Sequence, residues 1–238
     1  MNITIITPTY NERDNISTLI PKIISVCNRI KNHSLNLLVV DDNSPDNTKQ
    51  VVGEYAQKDS RVRLLLRRKK SGLGAAYIDG IRFALNKLDA DAVIQMDADH
   101  SHNPEEIPNF ISKLESYDFV IGSRYIHGGG IVNWDLKRKA ISKIGNLFAR
   151  FVARLNSIND CTSGYRAVSK TLINKIDLDS INIYGYAFLL GFLHSAVRHG
   201  ANVIEIPIIF VDRKEGKSKL GKKDIIEFVT SAFRLRNR

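Results

Sequence analysis

The stretch AVIQMDADHSHNPEEIP, residues 92–108, runs from an apolar segment straight into two aspartates one residue apart. The apolar run is typical of a buried strand, and Pro104 is typical of the first turn of a helix. Asp97 and Asp99 therefore follow a strand end, where their like charges repel each other. Such a pair indicates either an ordinary polar turn or a site for a cation.

Segments of the same two kinds alternate on both sides of this stretch. The sequence predicts strands at residues 3–7, 35–42, 61–66, 91–97 and 118–123, the last completing the set. It predicts helices at residues 14–30, 46–58 and 72–88, and a further one beginning near Pro104. Strand–helix alternation at this spacing predicts right-handed βαβ units and an α/β fold with a mostly parallel sheet flanked by helices.

Polar segments follow three of the predicted strands. They are TPTYNE (7–12), DDNSPDNT (41–48) and DADHSH (97–102). Each alone is typical of an ordinary loop. Parallel sheets bind their ligands outside the carboxyl ends of the strands, so three such segments at one edge together favour a ligand site there.

Composition bounds the class of protein. The chain has 238 residues, 43% of them hydrophobic, which is enough for one sizeable core or two closely packed lobes. The formal net charge of +10 indicates an anionic partner, which is a phosphorylated ligand, a nucleic acid or an acidic membrane surface.

Cysteine spacing and the amino terminus indicate the compartment. Cys27 and Cys161 lack the spacing of a zinc site or a disulfide framework. The amino terminus has neither the basic region nor the cleavage pattern of a signal peptide, and no stretch approaches the ~20 apolar residues that span a bilayer. We expect a cytoplasmic protein that is soluble or peripheral on a membrane.

The paired carboxylates have a chemical rationale. A divalent cation would relieve their repulsion, and oxygen ligands with room for water suit Mg²⁺ or Mn²⁺, usually completed by substrate phosphates. His100 and His102 do not complete a zinc set, so we expect them behind the carboxylates or in solvent. Downstream cations that could meet phosphate oxygens are Arg124, Lys137, Arg138, Arg166, Arg213 and Lys219.

Two cationic amphipathic helices are predicted late in the chain, at residues 136–155 and 224–238. The apolar positions of the first recur at helical spacing: Ile141, Ile144, Phe148, Phe151, Val152 and Leu155. This helix either packs on the sheet or contacts anionic lipid head groups. The second either docks on its own domain, lies on a membrane or frays.

A set of motifs resembles a known family. In chain order they are PTYNE, VVDDNSPDNT, MDADHSHNP, GSRYIHGGGIVNW, CTSGYR and VDRKEGKSKLG. This order resembles family 2 glycosyltransferases of GT-A fold and, more narrowly, dolichol-phosphate (polyprenol monophosphate) mannose synthases, from about Ile3 to Lys223. The resemblance implies a Rossmann-like GT-A domain over residues 1–212, with a nucleotide half (1–102) and an acceptor half (103–212). Residues 213–238 would then form a basic phosphate loop and a C-terminal amphipathic helix.

The resemblance also implies an activity. Family members transfer mannose from GDP-mannose to a dolichyl or polyprenyl phosphate, invert the anomeric centre and require Mg²⁺ or Mn²⁺. The expected partners are therefore a sugar nucleotide, the lipid phosphate, a membrane surface contacted through the amphipathic helices and a small membrane-anchor subunit, but no nucleic acid. The expected location is the cytoplasmic face of a membrane.

Site residues are implied motif by motif. Those around the nucleotide base and ribose are Pro8, Tyr10, Glu12, Val40 and Asp42. The metal and the donor diphosphate would be held by Asp97, Ala98 and Asp99, with Ser101 as a further metal ligand. The residues expected to grip phosphates are Arg213 and Lys219 on the donor and Arg124, Arg138 and Ser163 on the acceptor. Asp160 would lie near the sugar, and the expected catalytic residues are Asp99, Asp160 and Arg124.

One departure from the family keeps alternatives open. The family pattern GYxFxxE ends in a glutamate on the acceptor and sugar side, where this chain has Gly191. Transfer of glucose or another hexose from a UDP- or GDP-linked donor is therefore an alternative. A dinucleotide-dependent oxidoreductase is disfavoured because no GxGxxG follows the first strand. A non-catalytic basic module that binds nucleic acid or membrane would explain the charge but not the acidic strand ends.

Overall fold

The computed structural model describes residues 1–181, 187–212 and 222–236. The strands in these ranges are β1 (Asn2–Thr9), β2 (Ser34–Asp41), β3 (Val62–Leu66), β4 (Ala92–Gln95), β5 (Phe119–Ser123), β6 (Gly130–Val132), β7 (Arg166–Ser169), β8 (Val203–Pro207) and β9 (Ile209–Val211). The helices are α1 (Arg13–Arg29), α2 (Thr48–Lys58), α3 (Leu73–Lys87), α4 (Ile107–Leu114), α5 (Leu136–Val152), α6 (Lys170–Ile173), α7 (Ala187–Arg198) and α8 (Lys222–Arg236). A 3₁₀ turn, Pro104–Glu106, leads into α4.

A seven-stranded sheet forms the centre of the fold, in the order β3–β2–β1–β4–β7–β5–β8. Strand β7 runs antiparallel between β4 and β5, whereas the β1–β2, β2–β3, β1–β4 and β5–β8 pairs are parallel. Strands β6 and β9 form a separate parallel pair. The predicted α/β fold with a mostly parallel sheet is confirmed, and the division into halves at residue 102 stays a prediction.

The strand set is larger than predicted. The expectation that residues 118–123 complete it is wrong, because four short strands follow. Strand β7 has only four residues, RAVS, which is too few to show an alternating pattern. It pairs because it fills the space between β4 and β5, with Arg166 opposite Gln95 on one side and Ile121 on the other.

Helices cover both faces of the sheet. Consecutive residues of β1 point to opposite faces, so that Ile5 packs in one core cluster and Ile6 in the other. Burial on both faces explains why the strand reads as a continuous apolar run. The cluster around Ile5 includes residues of α1, α2 and α4, and the cluster around Ile6 includes residues of α3, α5, α7 and α8.

Helix α5 turns a second apolar face outward. Its buried residues are Asn146, Ala149 and Val152. Exposed large apolar residues of the helix are Leu136, Ile141, Ile144, Leu147 and Phe151. Helix α5 therefore has two apolar faces instead of the predicted single stripe: one packs on the domain and the other is exposed.

The C-terminal helix docks on the domain. Ala232 and Leu235 of α8 are buried in the core cluster, and Phe233 contacts Phe148 of α5 with ring centroids 5.7 Å apart. Of the three alternatives for this helix, the structure shows docking. Within the described ranges, no helix combines the length and apolar character needed to cross a bilayer.

Candidate functional site

The loop at residues 97–102, named here the DAD loop, follows β4 at the carboxyl edge of the sheet. Two side chains form hydrogen bonds with Asp97. Its backbone N–H donates to His102 Nδ1 (3.0 Å), and the Tyr77 hydroxyl donates to its Oδ1 (3.3 Å). Its side chain is still 33% exposed, so the carboxylate can reach a ligand. His102 Nε2 lies 3.9 Å from Asp97 Oδ2.

His102 is a buried, uncharged support for this carboxylate. Burial lowers the pKa of His102, although the neighbouring Asp97 and Asp99 carboxylates oppose that shift. Because Nδ1 accepts a hydrogen bond, the proton of the neutral ring is on Nε2, facing Asp97. The ring stacks on Tyr165 at 4.7 Å. This agrees with the expectation that the histidines are not themselves ligands.

Asp99 is oriented by its own loop. The backbone N–H and the hydroxyl of Ser101 donate to Asp99 Oδ1 at 3.1 and 2.5 Å. Ser101, expected as a metal ligand, is buried with its hydroxyl on Asp99. His100 has a left-handed φ of 62°, and its Nε2 lies 2.8 Å from Thr18 Oγ1, which ties the loop to α1.

The donor set fits a hard divalent cation. Within the described residues, no group of three or more His, Cys, Asp or Glu side chains is arranged to hold a metal ion. Two carboxylates without nitrogen or sulfur ligands suit Mg²⁺ or Mn²⁺ completed by water and phosphate oxygens, and they do not suit zinc.

The loops after β1 and β2 lie beside each other, since the Asp42 backbone N–H donates to Thr9 O (3.0 Å). Glu12 accepts from the Asn15 side chain at 2.8 Å, and Lys70 Nζ lies 3.9 Å from the centre of the Tyr10 ring. Asp42 accepts from Arg67 Nη1 and from the Ser71 backbone N–H.

Two predicted nucleotide contacts are buried or partly buried in the sheet. Val40 is fully buried in the core cluster against α3, so its contact with a nucleotide would have to come from the main chain. Pro8 lies opposite it in the β1–β2 register and is partly buried. Ala98, between the two aspartates, is also buried.

Sequence reasoning missed Arg67 and Lys70. Both follow β3, the edge strand of the sheet, at the same carboxyl end as the other polar segments. The strand-end rule that selected the first three loops could have selected this one.

Arg124 and Asp160 form a buried ion pair. Arg124 Nε and Nη2 donate to the two Asp160 oxygens at 2.7 and 2.8 Å, and Nη2 also donates to Thr162 Oγ1. Burial alone would raise the pKa of Asp160, but the charge and hydrogen bonds of Arg124 outweigh it and the pKa is lowered. Asp160 is fully buried and its carboxylate positions Arg124; its expected place near the sugar stays a prediction. Ser163 is also buried, and its N–H donates to Asp160.

The loop that carries Asp160 packs against the DAD loop. A Cβ added to Gly164 would lie 3.5 Å from Asp97 Oδ2 and 3.5 Å from His102 Cε1. Arg124 lies 5.6 Å from the centre of the Phe210 ring, which in turn meets the His102 ring edge-on at 5.9 Å. The fold therefore brings the ion pair and the paired carboxylates into one site.

Arg166 does not serve as a phosphate ligand. It is fully buried, and its guanidinium donates to the backbone oxygens of Cys161, Ser163 and Leu189. Burial lowers its pKa to about 10. The residue fastens the loop before β7 to α7, which corrects the expectation that it meets phosphate.

The remaining predicted cations divide between described and undescribed parts of the chain. Arg138 Nη1 pairs with Asp212 Oδ2 at 2.6 Å, and its guanidinium lies 4.1 Å from the centre of the Trp134 ring. Arg213 and Lys219 lie outside the described residues. Their roles stay predictions.

Gly191 is a buried residue of α7. It lines a cavity of about 150 Å³ whose other lining residues include His194, Ser195, Arg198 and Leu235. This face of α7 is turned toward α8. Its expected place on the acceptor and sugar side stays a prediction.

Comparison with known proteins gives consistent results. The family model described as "Glycosyl transferase family 2" matches residues 4–177. The chain is 38% identical to polyprenol monophosphomannose synthase of Mycolicibacterium smegmatis, over 94% of this chain and 82% of that protein. It is 38% identical to undecaprenyl-phosphate mannosyltransferase of Micrococcus luteus, over 98% of this chain and 93% of that protein.

Solved structures share the fold. Glucosyl-3-phosphoglycerate synthase from Mycobacterium tuberculosis, crystallised with Mn²⁺, UDP-glucose and glycerol 3-phosphate, has a TM-score of 0.71 at 16% identity, covering 99% of this chain and 80% of that chain. Mannosyl-3-phosphoglycerate synthase from Rubrobacter xylanophilus has a TM-score of 0.70 at 19% identity, covering 100% of this chain and 73% of that chain. At these identities the likeness establishes the GT-A type fold alone.

Proposed function

The chain belongs to glycosyltransferase family 2, and from this premise we propose that it transfers mannose from GDP-mannose to a polyprenyl phosphate with inversion at the sugar carbon. The observation that carries the proposal is the identity of 38%, over nearly the whole chain, with two enzymes named for polyprenyl-phosphate mannose chemistry. The two carboxylates of the DAD loop support the proposal, because they lie at the carboxyl edge of the sheet, where such sheets bind ligands.

The proposed reaction needs little acid–base chemistry from the protein. A phosphate oxygen of the acceptor attacks the anomeric carbon, the bond from that carbon to the donor diphosphate breaks, and GDP leaves. The attacking oxygen is already anionic near neutral pH, so no proton has to be removed from it. The protein has to position two anionic substrates and neutralise the charge that develops on the leaving group.

Asp97 and Asp99 would hold the divalent ion. When bound there, Mg²⁺ or Mn²⁺ would supply positive charge to the leaving diphosphate. Hydrogen bonds from Tyr77 and to His102 fix the position of Asp97, and the Ser101 hydroxyl orients the Asp99 carboxylate. Arg213 and Lys219 are proposed to add further positive charge on the donor side.

Arg124 is proposed to bind the acceptor phosphate. Its Nε and Nη2 are occupied by Asp160 and Thr162, which fixes the plane of the guanidinium. Its remaining nitrogen, Nη1, is proposed to donate to a phosphate oxygen. Arg138, beside the exposed face of α5, is proposed to assist.

We propose that the Asp42 carboxylate and the Tyr10 ring contact the nucleotide base. A carboxylate accepts from the adjacent N1–H and N2–H donors of guanine, whereas uracil offers one N–H between two carbonyl oxygens. The Tyr10 ring supplies a stacking surface next to this carboxylate. We therefore propose GDP instead of UDP as the nucleotide of the donor.

A donor panel tests the proposal. The full chain is incubated with polyprenyl phosphate, Mg²⁺ and one labelled donor, which is GDP-mannose, GDP-glucose or UDP-glucose. Transfer to the lipid makes the label extractable into organic solvent. We expect GDP-mannose to react about 10- to 100-fold faster than UDP-glucose, since a lost bidentate base contact costs about 1–3 kcal/mol. A reaction without lipid phosphate is the control. Preference for UDP-glucose would replace the proposal with the hexosyltransferase alternative.

The outward face of α5 is proposed to contact the membrane that holds the acceptor. Leu136, Ile144, Leu147 and Phe151 are each more than 60% exposed, at 84, 67, 61 and 74%. Their spacing places them along one side of the helix. Cations of the same helix include Lys137, Lys143 and Arg150. An apolar stripe beside basic residues is typical of a helix lying on anionic lipid.

Replacing Leu147 and Phe151 together by serine should weaken binding to vesicles containing anionic lipid by at least about 10-fold, because each buried apolar side chain contributes about 1.5–3 kcal/mol. Vesicle cosedimentation measures the effect. The matched control is Leu66→Ser, an exposed apolar residue (48%) on edge strand β3. Equal sedimentation of the double variant and the control would contradict membrane contact through α5.

A further inference from the structure

The segment that follows β3, residues 67–71, is fastened to the proposed nucleotide site at both ends. Arg67 donates to Asp42 Oδ1, and the Ser71 backbone N–H donates to Asp42 Oδ2 at 3.3 Å. Arg67 also pairs with Asp79 of α3 at 2.8 Å, and its side chain is only 10% exposed. The segment is therefore held beside the loop after β2.

Lys70, in this segment, lies over the ring of Tyr10. Its ammonium lies 3.9 Å from the centre of the Tyr10 ring, well within the range of a cation–π contact. Lys70 itself is exposed, as is its neighbour Lys69. A long, exposed side chain has many conformations available, so its position over an aromatic ring next to Asp42 is informative.

We propose that Lys70 is a nucleotide-binding residue: the base of the donor takes its place on Tyr10, and the ammonium then covers the outer face of that base. This inference rests on the proposed function, because it takes a nucleoside diphosphate as the ligand. The anchors on Asp42 keep Lys70 within reach of a base stacked on Tyr10. The face of a base attracts a cation for the same reason as the face of a tyrosine.

The test measures binding of GDP and of guanosine to the full chain by titration calorimetry in the presence of Mg²⁺. Lys70→Ala should weaken both ligands to the same extent, by about 3- to 10-fold, because the lost contact is to the base. Lys70→Arg should bind within about 2-fold of the unaltered protein, since a guanidinium also stacks on an aromatic face. Lys69→Ala is the matched control and should also stay within about 2-fold.

Two kinds of result would overturn the inference. Lys70→Ala binding that equals or exceeds that of the unaltered protein would show that the lysine only competes with the base. A loss seen with GDP but not with guanosine would place the ammonium on phosphate instead of the base. In both cases the unaltered protein still binds GDP and the proposed function stands. If the unaltered protein does not bind GDP, the proposed function fails and the role of Lys70 fails with it.

Discussion

Replacing Asp99 by alanine is expected to reduce mannosyl transfer by at least about 1,000-fold without unfolding the protein, because charge stabilisation of a leaving group is commonly the largest catalytic contribution. The variant removes one of the two carboxylates proposed to hold the divalent ion. Asp99 is partly exposed on the DAD loop, so its loss leaves the two core clusters intact. Initial rates at saturating donor and metal measure the effect, and urea unfolding checks the fold.

An isosteric variant separates charge from shape. Asp99→Asn keeps an oxygen that accepts from the Ser101 N–H and hydroxyl but removes the negative charge. It should lose nearly as much activity as Asp99→Ala and should need more Mn²⁺ to reach half of its maximal rate. Ser101→Ala, which removes only the orienting hydroxyl, should retain much more. Full activity in Asp99→Ala would refute the role of this carboxylate in holding metal.

The parts of the fold that could be predicted are those with a local signal. Strands β1 to β5 contain apolar runs because helices cover the sheet. Polar loops mark the ends of several of these runs, so the strands can be recognised in the sequence. Strand β7 is not visible, because four residues between two partners carry no periodicity. The apolar spacing of α5 predicts a helix, but it does not say which apolar residues the domain covers; Val152 is buried and Phe151 is exposed.

The candidate site also contains residues that the sequence could predict and residues whose roles only the fold shows. The strand-end rule brings Asp97, Asp99, Tyr10 and Asp42 to one edge without any knowledge of burial. Burial distinguishes Arg166, which is fully buried and donates to backbone oxygens, from exposed cations that look the same in the sequence. Arg124 and Asp160 are 36 residues apart, and only the completed fold shows that they are partners.

Replacing Asp160 by asparagine should lower the free energy of unfolding by about 3–5 kcal/mol, because it leaves a buried guanidinium without its counter-charge. Arg124 is 8% exposed and Asp160 is fully buried. For a chain of this length the midpoint of thermal unfolding should fall by about 10 °C, at about 2–4 °C per kcal/mol. Denaturant unfolding at pH 7 measures the loss.

An exposed arginine–carboxylate ion pair provides the control. Arg29 Nη2 donates to both oxygens of Glu105 at 2.7 and 2.6 Å, but these side chains are 59 and 57% exposed. Glu105→Gln should therefore cost no more than about 1 kcal/mol. Equal losses in the two variants would mean that burial does not set the strength of the Arg124–Asp160 pair.

The cost of Asp160→Asn should also depend on pH in a defined direction. Because the pKa of Asp160 is lowered in the folded protein, its carboxylate contributes stability above the ordinary carboxyl pKa of about 3.9, and that contribution is lost as the pH falls through the lowered value. The difference in unfolding free energy between the unaltered protein and the variant should thus be constant from pH 8 to pH 5 and shrink in stronger acid. A difference that shrinks already between pH 7 and pH 5 would show that another group carries the effect.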